Sequence, residues 1–279
     1  MSATKPATGR RWLLHVGIAL IVIYCLAPFY WMVVSAFRRP NDQGVNSLFP
    51  SPWSMENFTA VFKPEVGFGR NLVNSVVVSG ITTILTLILG TFAAYTIARM
   101  EFRGKGLVAG IVIAMSMFPV VALLVPLLRL FTDIGWINTY QSMIVPSLSF
   151  ALPLTVWVLA TFFRQMPKEL EEAAMVDGLT RGQAFRKIII PLAAPGMFTT
   201  AILAFIATWN EFIIALTMVN QKNLQTATVA VSKFTGITNF DSPFGTKMAA
   251  GVLLTVPLVI VVLIFQRRII AGLTAGGVK

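Results

Sequence analysis

The chain has 279 residues, of which 56% are hydrophobic and only 12% charged, with a mean hydropathy of +0.77. Soluble domains carry about 25% charged residues, so this chain has too little charge to coat a water-soluble globule, and its apolar fraction excludes a disordered protein. One cysteine, Cys25, and one histidine, His15, exclude an internal disulfide and a multi-cysteine or His-rich metal centre. What remains is an all-α protein that crosses a membrane several times.

About 20 apolar residues cross a hydrocarbon core of roughly 30 Å. Stretches of that kind recur six times, near 13–36, 73–98, 107–128, 141–163, 197–219 and 248–266. The first follows a tail bearing Lys5, Arg10 and Arg11. Val34-Ser35-Ala36 imitates a signal-peptide cleavage site, but an apolar run of about 24 residues exceeds the 7–15 of a signal core. It reads as an uncleaved span with His15 near its start and Cys25 as a buried, inert thiol. The connection at 37–70 carries Trp53, Met55, Phe58 and Phe62, the pattern of a short helix lying on the membrane interface.

Prolines punctuate several spans: Pro28, Pro119, Pro126, Pro146, Pro153 and Pro257. Each removes a helix hydrogen bond and favours a kink. Bland shaping and helices bent around a pathway both remain open. Gly106 and Gly110 have the spacing for close helix packing. Trp12, Trp31, Trp136 and Trp157 lie near span ends, as interface anchors do.

The connection at 164–196 is too structured for a plain linker. Pro167 suits the first turn of a helix, and Glu169, Glu171 and Glu172 follow where the helix dipole favours acids. Gly178 stands where a left-handed residue ends a helix. Thr180 and Gln183 have capping-box spacing, Arg186 and Lys187 close a second helix, and Pro191 and Pro195 mark the return into the membrane. The segment reads as helix, glycine turn, helix: a surface knob that another protein can hold.

The fifth span contains Asn210 and Glu211, the only acid inside any of the six. An intramembrane carboxylate is a functional candidate by default, so Asn210 and Glu211 are candidate pathway residues. A structural, hydrogen-bonded acid is the competing reading. The following connection, 220–247, is rich in Thr, Asn and Gly, and fits either a solvated linker or a segment reaching an external partner.

The net charge of +11 is a matter of placement. With both termini in the cytoplasm, 14 of the 22 basic residues fall on that side and 8 on the other, in longer loops. That is the positive-inside bias, with some contact to anionic lipid. No basic–aromatic face for nucleic acid is present.

Glu172-Ala173-Ala174, three residues, Gly178, nine residues, then Ile188-x-Ile190-Pro191 closely resembles the coupling-loop motif of ABC importer permeases, with Ile190 where Leu is usual. Further stretches resemble the carbohydrate branch of that family: Trp53 to Phe62, Asn74-Ser75, Met117-Phe118-Pro119 and Trp209-Asn210-Glu211-Phe212. The tail Gly272 to Lys279 is similar to that of the G-type permease of maltose importers. The resemblance covers nearly the whole chain.

It implies a type I importer permease fold, a single membrane domain over 1–279 with a coupling loop at 164–196 and a cytoplasmic tail at 267–279. It implies that Glu171, Glu172, Ala173, Ala174, Asp177 and Gly178 meet an ATPase, and that Gly272, Thr274, Gly276 and Gly277 of the tail reach it too. The implied partners are a second permease, two ATPase subunits, an extracytoplasmic sugar-binding protein, a sugar such as trehalose or maltose, and membrane lipid, in a bacterial inner membrane. ATP and Mg2+ would sit on the ATPases. This chain has no Gly-x4-Gly-Lys-Ser/Thr loop, and no cofactor, metal or catalytic site of its own is expected. The rival class, an ion-coupled secondary transporter, would need a relay of intramembrane charges, and only Glu211 is available. A membrane enzyme would need a catalytic constellation that a lone His15 cannot supply.

Overall fold

The computed structural model describes residues 8–43, 47–50, 52–234 and 243–275, with side chains for 12–266 among them. These residues are nearly all helical: α1 (Thr8–Ala36), α2 (Glu56–Val61), α3 (Phe68–Arg99), α4 (Lys105–Ser116), α5 (Val120–Asp133), α6 (Gln141–Gln165), α7 (Glu169–Val176), α8 (Arg181–Ala184), a π turn at Phe185–Ile189, α9 (Ile190–Trp209), α10 (Ile213–Met218), α11 (Ala227–Ser232) and α12 (Phe244–Ala275). Five helical runs are long and apolar enough to cross a membrane, and α4 with α5 forms a sixth, bent one.

The contacts divide the chain into two compact units, 1–68 with 233–255, and 69–232 with 256–279. In the first unit, buried Asn57 on α2 organises the chain around it. Its Nδ2 donates to the carbonyls of Ala36 (2.9 Å) and Arg38 (2.6 Å). Gly245 on α12 leaves room for this arrangement: a Cβ there would press on the side-chain ends of Gln43 and Asn57, which would have to shift. Phe37 packs between Trp53 and Phe58. The short helix expected after the first span is α2, with Trp53, Met55 and Phe62 exposed beside it.

The second unit is built on α6, whose ends serve two cores. One gathers Met143 and Ile144 with Val78, Leu124, Phe131 and Ile214. The other gathers Val156, Leu159 and Phe163 with Ala94, Ile97 and Ile189. Some polar side chains within helices are satisfied locally: Thr83, Thr200 and Thr208 each donate to the carbonyl four residues earlier. This is the economy expected where no water is available.

Several expectations change. The span expected at 107–128 is broken, α4 and α5 meeting at a 93° bend. Pro119 supplies no N–H, restricts Phe118 before it, and becomes the extended cap of α5. The span expected at 197–219 instead occupies Arg181–Trp209, because the helix started by the 180–183 cap never stops at Lys187. Pro191 clashes with the carbonyl four residues back, and the π turn at Phe185–Ile189 absorbs that conflict without ending the helix. Pro167 precedes α7 rather than opening it.

Gly106 and Gly110 pack against nothing within 4 Å. Close approach occurs at Gly90, against Thr155, and at Gly196, against the ring of Phe162. Cys25 is exposed rather than buried, since the membrane-length window of α1 has no buried residue.

Candidate functional site

The 164–196 loop presents a short helix and a tight stop. α7 carries Glu169, Glu171 and Glu172 in its first turn. It ends at Gly178 with φ +89°, where the amide of Leu179 donates to the Ala174 carbonyl (3.0 Å) and that of Gly178 to Met175 (3.1 Å). That paired pattern is the Schellman stop, and glycine adopts it without strain. Thr180 then caps α8 reciprocally: its amide donates to Gln183 Oε1 (2.8 Å), and the Gln183 amide to Thr180 Oγ1 (3.4 Å). From there the helix runs into the bundle.

The candidate coupling residues do not share one face. Glu172, Ala173, Asp177 and Gly178 are exposed, while Ala174 is 2% exposed and packs inward. Val176, at the tip, is 87% exposed. Val176 is not among the candidates the sequence singles out. A large apolar side chain left bare beside an αL stop is the signal that marks it.

Glu171 turns the other way. The Tyr95 hydroxyl, one turn before the end of α3, donates to Glu171 Oε1 at 2.7 Å. The Tyr95 ring packs on Phe185 (4.4 Å between centroids) and Phe163 (5.9 Å). Arg99 Nη2 donates to the Met166 carbonyl at 2.7 Å. A cavity of ≈ 180 Å³ lies here, lined in part by Tyr95, Arg99, Lys168, Glu171 and Arg181.

Of the candidate pathway residues, Glu211 is half-buried in a break between α9 and α10, not within a continuous span. Its carboxyl accepts from the amides of Ile214 (2.7 Å) and Ala215 (3.1 Å), satisfying the start of α10. Asn210 is exposed, with its Nδ2 donating to the Ile206 carbonyl (2.9 Å). The geometry gives both residues work on the backbone at this break.

A polar cluster lies at the start of α3. Asn71, Asn74 and Ser75 fall on one helical face. Asn71 Nδ2 donates to the carbonyls of Lys222 and Gln225, and Asn74 Nδ2 to those of Asn223 and Gln225. Asn74 Oδ1 accepts from the Tyr140 hydroxyl (2.7 Å), and Ser75 Oγ from the Ala227 amide (2.8 Å). Asn138, at φ +60°, accepts from the amides of Asn220 and Gln221. The segment 220–227 is thus pinned to α3, which explains the Asn-Ser pair that opens the second span.

The remainder of the 220–247 connection includes 235–242, outside the described residues. In the tail, Gly272 and Thr274 belong to α12, and Gly276 and Gly277 lie outside the described residues. Among the described residues no group of three or more His, Cys, Asp or Glu could hold a metal ion.

Helices of membrane-crossing length and apolarity mark a multi-spanning membrane protein. The chain belongs to the family described as binding-protein-dependent transport system inner membrane component, whose profile matches residues 49–274. It is similar to the trehalose transport system permease protein SugB of Mycobacterium tuberculosis, with 43% identity covering 93% of this chain and 94% of that protein. It is also similar to the trehalose/maltose transport system permease protein MalG of Thermococcus litoralis, with 40% identity covering 97% of each. In fold it is similar to a chain in the crystal structure of a bacterial ABC transporter involved in alginate import, with a TM-score of 0.79 and 20% identity, covering 95% of this chain and 99% of that one.

Proposed function

We propose that the chain is one of two permeases in an ATP-driven sugar importer, carrying a disaccharide such as trehalose or maltose. The observation that carries this reading is the exposed α7, its αL stop at Gly178, and a capped helix that continues from there to Trp209. A partner gripping α7 can move a membrane-length helix through one short, hydrogen-bonded turn at 177–180. The names of the two relatives above support the sugar.

In this reading Glu172, Ala173, Val176, Asp177 and Gly178 face the ATPase, and Ala174 supports them from beneath. The tail, through Gly272, Thr274, Gly276 and Gly277, supplies a second contact. Two ATPase subunits hold ATP and Mg2+, and this chain binds no cofactor and does no chemistry of its own. An extracytoplasmic binding protein delivers the sugar. The chain lies in a bacterial inner membrane, in contact with its lipids, with the 164–196 loop and both termini cytoplasmic. ATP binding draws the ATPases together and selects the outward-facing state of a bistable bundle, and hydrolysis restores the inward-facing one.

The test is purification of the tagged chain in mild detergent with identification of its companions by mass spectrometry. An ATPase, a second permease and a sugar-binding protein are expected. Gly178→Pro, Glu172→Lys and Val176→Asp should each insert into the membrane and abolish or sharply reduce trehalose uptake. A homo-oligomer with no ATPase would sink the reading.

A further inference from the structure

We propose that Tyr95 is the positioning residue that fixes the coupling helix to the second span, resting on the ATPase-docking reading above. α7 has eight residues, too few to hold its own direction, since isolated helices below about 12–15 residues are marginal. Its orientation must come from tertiary ties: it packs on α8 and the π turn, and two side-chain hydrogen bonds tie this region to the last two turns of α3. The Tyr95 hydroxyl holds Glu171 at 2.7 Å. Arg99, one turn further on, holds the Met166 carbonyl in the short link before α7, also at 2.7 Å.

The ring of Tyr95 adds a second connection. It lies against Phe185 in the π turn and Phe163 near the end of α6. One side chain therefore touches the coupling helix, the helix leading out of the loop and the helix leading into it. Two neighbouring acids divide the work. Glu172 is exposed for a partner, while Glu171, about 100° away around the helix, is turned toward α3. The hydrogen bond from a phenol to a carboxylate is of the stronger kind. A push on α7 is passed to α3 through this bond, in parallel with its covalent path through α8 into α9.

The experiment uses the assembled transporter in proteoliposomes with internal ATP and a binding protein loaded with radiolabelled trehalose. Tyr95→Phe keeps both ring contacts and removes only the hydroxyl. We expect the ATPase to co-purify as in the wild type and hydrolysis to persist. Trehalose taken up per ATP hydrolysed should fall about tenfold or more, the scale of one hydrogen bond to a charged group. Glu171→Gln, which keeps an oxygen acceptor, should lose less than Glu171→Ala. The double variant Tyr95→Phe/Glu171→Ala should be no worse than either single one. Wild-type uptake per ATP in Tyr95→Phe, or a double-variant loss equal to the product of the single losses, overturns the role of Tyr95 while leaving the docking reading intact. Absence of any ATPase from the wild-type preparation overturns both.

Discussion

Replacing Asn74 by Leu removes a hub without emptying its volume. Three hydrogen bonds disappear: to the carbonyls of Asn223 and Gln225, and from the Tyr140 hydroxyl. At about 1 kcal/mol net each the gross loss is about 3 kcal/mol. Gln225 keeps its bond from Asn71, and the Ser75–Ala227 and Asn138 contacts persist, so about 2 kcal/mol is the realistic local figure. That free energy resists opening of the 220–227 segment, which has no regular hydrogen-bonded structure before α11. Amide hydrogen exchange reads such openings directly. Every 1.4 kcal/mol is tenfold, so the Leu224 and Ala227 amides should exchange about 30-fold faster in detergent-solubilised Asn74→Leu. Amides in the middle of α6 should be unchanged. Equal exchange at Ala227 in both proteins would refute the pinning argument, as would a uniform acceleration that includes α6.

Gly178→Ala should be tolerated sterically, since nothing lies within 4 Å of the position, but at φ +89° it should cost about 1–2 kcal/mol; weakened retention of the ATPase on an affinity column checks this. Gly196→Leu drives a side chain into Phe162, whose ring atoms would lie as near as 2.7 Å to the new Cβ. Overpacking of this kind costs about 1–3 kcal/mol, so the variant should melt lower in detergent while Gly110→Leu melts like the wild type. Glu211→Ala removes a helix cap worth about 1 kcal/mol and should retain most trehalose uptake. Complete loss of uptake in a properly assembled complex would instead place Glu211 in the sugar path.

The long apolar runs, the glycine stop at 178 and the Thr180–Gln183 cap were legible because each rests on local chemistry. A φ requirement, a reciprocal side-chain bond and a run of uncharged residues are all written within a few positions. Pro119 was equally visible, but whether a proline kinks a helix or breaks it at 93° depends on what the neighbouring turns can pack against, which is a tertiary matter. Proline at 191 misled in the opposite direction, because a π turn took up the conflict. Glu211 read as a solitary intramembrane acid because its partners are backbone amides of residues 214 and 215, and composition says nothing about those. The division between Glu171 and Glu172 was beyond sequence for a similar reason: only the placement of Tyr95, 76 positions earlier, separates them.

The run from Arg181 to Trp209 has 29 residues, and at 1.5 Å per residue it is a rod of about 43 Å. Gly196 sits near its middle, pressed on Phe162 without a side chain between them. α9 lies along α6 rather than touching it at one point, so a push at the loop end is shared by the whole seam between the two helices. The missing side chain at position 196 sets how closely they run at the middle of that seam.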